Sequence, residues 1–95
     1  MPFQMSYKLK IDIDALQDIQ QAVEWYDLQL SGLGNRYKNQ VKKQISKLKY
    51  NPLKFAVKYN SVRCCKVEKF SFLIHFDVDE KNKTVAVFAV FHTSK

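Results

Sequence analysis

From Tyr7 to Asp12 apolar and polar residues alternate, with Tyr7, Leu9 and Ile11 set against Lys8, Lys10 and Asp12. Period two marks a half-buried strand. Asp12 and Asp14 then offer N-cap oxygens, with Gln17 three residues beyond Asp14. The period changes to that of a helix. At about 100° per residue, Ala15, Leu16, Ile19, Ala22, Val23, Tyr26 and Leu30 fall on one stripe, with Trp25 at its edge. Ser31-Gly32 stops this helix, the glycine suiting a left-handed C-terminal position. Gly34-Asn35 permits a tight reversal into a second helix, roughly Asn35 to Tyr50. Its stripe is Tyr37, Val41, Ile45 and Leu48, and basic residues occupy the rest of the cylinder. Asn51-Pro52 ends it, because a residue before proline avoids helical angles. Two amphipathic helices joined by so short a turn predict an antiparallel hairpin.

The remainder reads as strands. Phe55 to Tyr59 is extended, an edge strand at most, and Asn60-Ser61 turns. Val62 to Val67 is a strand, followed by a tight turn at Glu68-Lys69. In Phe70 to Val78 the residues Phe70, Phe72, Ile74, Phe76 and Val78 share one face. Asp79 to Lys83 is a polar hairpin loop. Thr84 to Phe91 is apolar on both faces, Val85, Val87, Ala89 and Phe91 against Ala86, Phe88 and Val90, which predicts a central strand covered on both sides. The expected fold is α+β, in the order β-α-α-β-β-β, with the helix hairpin on one face of a small, mainly antiparallel sheet. The other face, carrying Leu73 and His75 or their neighbours according to register, becomes a candidate binding surface.

Ninety-five residues fit one domain, 1–95. No apolar run approaches the roughly 20 residues that span a bilayer, and Met1 to Lys10 lacks a signal-peptide pattern. The expectation is a cytoplasmic protein without membrane contact. Cys64 and Cys65 are adjacent, so on a strand they point to opposite faces and cannot pair without strain. Two cysteines and two distant histidines do not offer the loop-spaced four ligands of zinc, and no metal site or cofactor is expected.

Charge changes the picture. Residues 1–34 carry 2 basic and 5 acidic side chains, residues 35–69 carry 11 and 1, and residues 70–95 carry 3 of each. A net +10 in the middle third implies contact with a polyanion or an acidic protein, or a solvated lysine-rich face.

The words Ala22-Val23-Glu24-Trp25-Tyr26, Gly32-Leu33-Gly34-Asn35-Arg36-Tyr37 and Leu48-Lys49-Tyr50-Asn51-Pro52 run along the helices. Val62-Arg63, Phe70-Ser71-Phe72-Leu73-Ile74-His75-Phe76 and Val87-Phe88-Ala89-Val90-Phe91-His92-Thr93-Ser94 follow on the strands. In this order and spacing, from about Tyr7 to Lys95, the chain resembles the RelE/ParE toxin superfamily. The resemblance implies the toxin of a type II toxin–antitoxin module, neutralised by a cognate antitoxin in a hetero-oligomer. Some members enter the ribosomal A site and cleave messenger RNA without metal. Others, of the ParE type, bind DNA gyrase and act without catalysis. A decayed toxin that only binds antitoxin is the third reading. The Gly-Leu-Gly hairpin and His-Thr-Ser ending resemble the branch labelled plasmid stabilisation.

RNA cleavage by attack of the 2′-OH needs a base, an acid and cations on the developing charge. Arg63 resembles a phosphate-binding arginine of the ribonuclease members, and His92 stands where some of them place a catalytic histidine. Lys66 is read as lining the same cleft as Arg63. Lys49, Lys54, Lys58 and Lys95 are candidates for nucleic-acid or antitoxin contact. His75 reads as a packed or sheet-face residue, and Trp25 and Tyr26 as core and helix-packing residues. Two departures from the ribonuclease pattern stand out: Thr93-Ser94-Lys95 replace a terminal tyrosine or arginine, and Cys64 and Cys65 occupy places where cations would help.

Overall fold

In the computed structural model, which describes residues 6–93, the first alternation forms strand β1 (Lys8–Ile11). The amphipathic stretches form helices α1 (Ile13–Gln29) and α2 (Leu33–Leu48). A 3₁₀ turn over Pro52–Lys54 leads into β2 (Val57–Tyr59), β3 (Val62–Lys66), β4 (Phe72–Asp79) and β5 (Thr84–His92). The sheet runs β1-β5-β4-β3-β2, with β1 parallel to β5 and the other pairs antiparallel. This is the expected α+β fold with one strand more. Residues 57–59 pair with β3 and extend the sheet at its edge. Among the described residues no helix is long and apolar enough to cross a membrane.

The hairpin between the helices uses its two glycines differently from the sequence reading. Gly32 alone reverses the chain, at φ +89°, a region open to glycine at little cost. Gly34 already lies within α2, which begins at Leu33 rather than Asn35. It serves close approach. A Cβ there would run into the Val23 carbonyl and the Asp27 carboxylate of α1, and its N–H donates to Asp27 Oδ1 at 2.8 Å. The bond satisfies one of the unpaired donors at the start of α2 with an acidic group, which the helix dipole also favours.

Between the helices and the sheet lies the core. Tyr37, Val41, Ile45 and Leu48 of α2 are buried as their spacing predicts. Tyr37 stands at the centre of an aromatic cluster, 5.3 Å from Tyr26, 5.3 Å from Phe70 and 5.0 Å from Phe72. Its hydroxyl is buried without a hydrogen-bond partner among the described residues. Helix α1 buries a narrower stripe than its pattern suggests. Ala15 and Ala22 are its buried residues, flanked by half-buried Ile19, Val23 and Tyr26, while Leu16 and Leu30 are exposed. Small side chains at the contact let α1 lie close to β5 and turn its larger edge residues outward. Trp25, read as packed, is 56% exposed and touches Tyr26 edge-on at 5.1 Å.

Strand β5 departs most from its pattern. His75 pairs with Ala89 and Phe76 with Val87, so Phe88 is an extra residue, a β-bulge. Parity switches there. Val85 and Val87 face the helices before it, and Val90 and His92 do so after it, opposite Ile74 and Phe72. Phe91 therefore falls on the other face, 51% exposed. Among the described residues nothing forms a second layer on that face, and the strand's two-sided apolarity leaves Phe88 and Phe91 at an open surface.

Gly34→Ala should cost about 2–3 kcal/mol, as overpacking does, and loosen the hairpin. Gly32→Ala meets nothing within 4 Å and should cost about 1 kcal/mol for its left-handed backbone. Urea unfolding of both variants checks the order, and equal costs would show that close approach at Gly34 is unimportant.

Candidate functional site

Strand register decides which side chains can meet. On β3, Arg63 and Cys65 pair with Phe76 and Ile74 and so face the helices. Cys64 and Lys66 pair with His75 and Leu73 on the open face. Arg63 and Lys66 are therefore on opposite sides of the sheet and line no common cleft. His92 shares the helix side with Arg63. It pairs with Phe72, four residues along β4 and two strands across from Arg63, about 16 Å apart by strand geometry.

Arg63 and His92 each have a local contact. The Arg63 guanidinium donates from Nη1 to the carbonyl oxygens of Phe55 and Leu53, clamping the segment after the 3₁₀ turn over the end of the core. Phe55, so held, packs edge-on against Phe76 at 5.8 Å. The His92 imidazole stands edge-on to Phe72 at 5.1 Å, beside a hollow whose other wall is Asp18, Gln21 and Trp25 of α1. Lys49 and Lys54 lie over the rings of Tyr50 and Phe55, at 5.4 and 5.2 Å. Lys58 is exposed on β2, and Lys95 lies outside the described residues.

Two surfaces remain. One is an apolar cleft of about 330 Å³ between β1, α1 and α2, lined by Leu9, Ile11, Leu16, Ile19, Val41 and Ile45 and rimmed by Lys38 and Lys42. The other is the open sheet face. At its centre His75 Nδ1 lies 2.9 Å from Tyr59 Oη and 3.5 Å from Cys64 Sγ, with the Phe91 ring 5.1 Å away. Burial holds His75 below the usual histidine value, against the pull of Asp18. Burial also raises the Cys64 thiol, which Lys58 draws back down. Cys65 faces the core, its S–H 3.6 Å from Gln44 Oε1, and burial pushes its thiol up to about 11. A cation at position 65 would thus be buried, and only position 64 was open to one. The Tyr59–His75–Cys64 group escaped the sequence reading because three strands assemble it and no spacing announces it.

A sequence family described as the ParE toxin of the type II toxin–antitoxin system parDE matches residues 9–95. The chain belongs to the ParE toxin family. No curated protein sequence matches this ParE-family toxin. Among solved structures, its fold is similar to that of a chain of the chromosomal ParDE system from P. aeruginosa. The two share 17% identity at a TM-score of 0.83, over 97% of this chain and 100% of that one. It is also similar to a chain of the intact E. coli RelBE toxin–antitoxin complex, at 19% identity and a TM-score of 0.68, over 95% and 100% of the two chains. A chain of the RelBE2 complex of Mycobacterium tuberculosis matches at 15% identity and a TM-score of 0.70, over 92% and 98%. These likenesses concern the fold.

Two predictions follow for this ParE-family toxin. Arg63→Ala should lower stability by about 1–3 kcal/mol, since it deletes charge-assisted hydrogen bonds to two carbonyls. An unchanged urea midpoint would refute the clamp. The second concerns pH. The unfolded chain takes up the His75 proton more readily than the folded one, so stability is complete above about 6.5 and falls as pH drops through the folded value. An NMR titration should find the His75 midpoint below 6.5, and a midpoint above it would reverse the sign.

Proposed function

We propose that this ParE-family toxin of a type II toxin–antitoxin system acts by binding, as a non-catalytic inhibitor of DNA gyrase, and does not cut messenger RNA. The observation that carries this is the state of Arg63. Its guanidinium is engaged by the carbonyls of Phe55 and Leu53, Lys66 projects from the opposite face, and His92 is some 16 Å distant by strand geometry. General acid–base transfer needs partners within roughly 3 Å of the moving proton or one water away. The three candidates do not surround one phosphate. The membership in the ParE branch points the same way.

The partner that neutralises the toxin is a cognate antitoxin, the kind of protein that completes the ParDE and RelBE assemblies of its structural neighbours. The cleft between β1, α1 and α2 suits an amphipathic segment of such a protein. Its floor is aliphatic, Lys38 and Lys42 stand at its rim, and an acidic flank on the partner would complement them.

The test uses folded, antitoxin-free protein in two assays. Gyrase supercoiling should be inhibited, by wild type and His92→Ala alike. Messenger RNA on translating ribosomes should stay intact. Cuts in the A-site codon that vanish in His92→Ala would overturn the proposal in favour of an endoribonuclease that uses His92. Activity in neither assay would leave the antitoxin-binding chain without the gyrase role proposed here.

A further inference from the structure

We propose that Cys64 and His75 are one half of a binding site for a thiophilic cation of the zinc class, completed by the same two residues of a second copy of the chain. The two face each other across β3 and β4 as a direct cross-strand pair. Their ligand atoms, Sγ and Nδ1, are 3.5 Å apart. Adjacent sulfur and nitrogen ligands on a tetrahedral zinc, with bonds of about 2.3 and 2.0–2.1 Å, stand about 3.5 Å apart. No strand needs to move to bring them to that span.

The surroundings fit the same use. Both residues are half-buried on the uncovered sheet face, where a cation can reach them. His75 is held toward its neutral form, the state in which imidazole ligates metals. Burial raises the Cys64 thiol and Lys58 offsets part of that rise; the thiol proton passes to solvent as the sulfur–metal bond forms. Tyr59 Oη shares a hydrogen bond with Nδ1 at 2.9 Å and must turn away when a cation binds. Cys65 cannot substitute, since its sulfur is buried against Gln44.

The site is incomplete in one chain. Among the described residues no group of three His, Cys, Asp or Glu side chains gathers anywhere, whereas structural zinc takes four ligands. A two-fold axis through the open face brings an identical pair. Two thiolates then neutralise the dication, and half-buried Leu73 and Phe88 with exposed Phe91 supply apolar area around it.

The experiment uses the untagged full-length chain. Cobalt(II) serves as the spectroscopic stand-in, and zinc titration is followed by sedimentation. Expected are sulfur-to-cobalt charge-transfer bands with tetrahedral visible absorption, one metal per two chains, and conversion of monomer to dimer. Cys64→Ser and His75→Ala should abolish all three, and His92→Ala should abolish none. Tyr59→Phe removes a hydrogen bond that competes for Nδ1 and should tighten binding roughly fivefold, a gain that impaired folding cannot produce. Absent charge-transfer bands, binding that survives Cys64→Ser, or one metal per chain without dimerisation would each overturn the proposal.

Discussion

The extra residue at Phe88 fixes what the two faces of this molecule are. β5 is the strand on which the architecture converges: β1 pairs with one edge of it, β4 with the other, and α1 packs on its face. A strand with strict alternation would put Val85, Val87, Ala89 and Phe91 against the helices. The bulge exchanges the last two for Val90 and His92. Phe91 would then have been a buried ring under α1, where the small Ala15 and Ala22 leave room only for close contact. With the bulge, the aliphatic Val90 fills that place and Phe91 joins His75 on the open side. The bulge thus lets α1 sit close and gives the open face its aromatic character.

Polar groups inside the fold act as clamps. β1 pairs with β5 only as far as Val87. Beyond that point the Val90 N–H is met by Asp18 Oδ2 of α1 at 3.0 Å, so a helix carboxylate takes over where the strand partner ends. Asp27 does the same for the first turn of α2, and Arg63 does it for the carbonyls of Leu53, within the 3₁₀ turn, and of Phe55, just after it. Each is a charged group answering a main-chain group that regular structure leaves over, which is where buried polar groups are worth most. The Tyr37 hydroxyl is the exception. The cost of leaving it unpaired is set against the ring contacts it brings to the core.

Much of this was legible in the sequence, and the limits have physical causes. The stripe Tyr37, Val41, Ile45 and Leu48 was readable because one helix face is defined by residues of one segment. The α+β order and the Asp79–Lys83 loop were readable for the same reason, since period and turn chemistry are local. Phe88 was not, because a bulge is a relation between two strands and leaves no mark in either alone. Arg63 and Lys66 were placed in one cleft although three residues on a strand reverse the face. The pairing of Cys64 with His75 depends on β3–β4 register, and a separation of 11 positions along the chain hides it. Trp25 was misplaced because a helical wheel gives direction but not the width of the buried stripe.

That division also explains why the family could be recognised while the target could not. The words that carry the resemblance do structural work here. Gly32 turns the chain, Gly34 lets the helices touch, and buried Pro52 closes α2. Phe72, Ile74 and Phe76 form the floor of the core. Such residues are constrained by packing, and the fold they support matches a structure of 17% identity at a TM-score of 0.83. A target meets only exposed positions, and here these include the lysines on the outside of α2, the rim of the cleft and the open sheet face. Packing does not dictate side chains such as those of Lys38, Lys42 and Lys58, and a change at these positions leaves every word of the pattern intact.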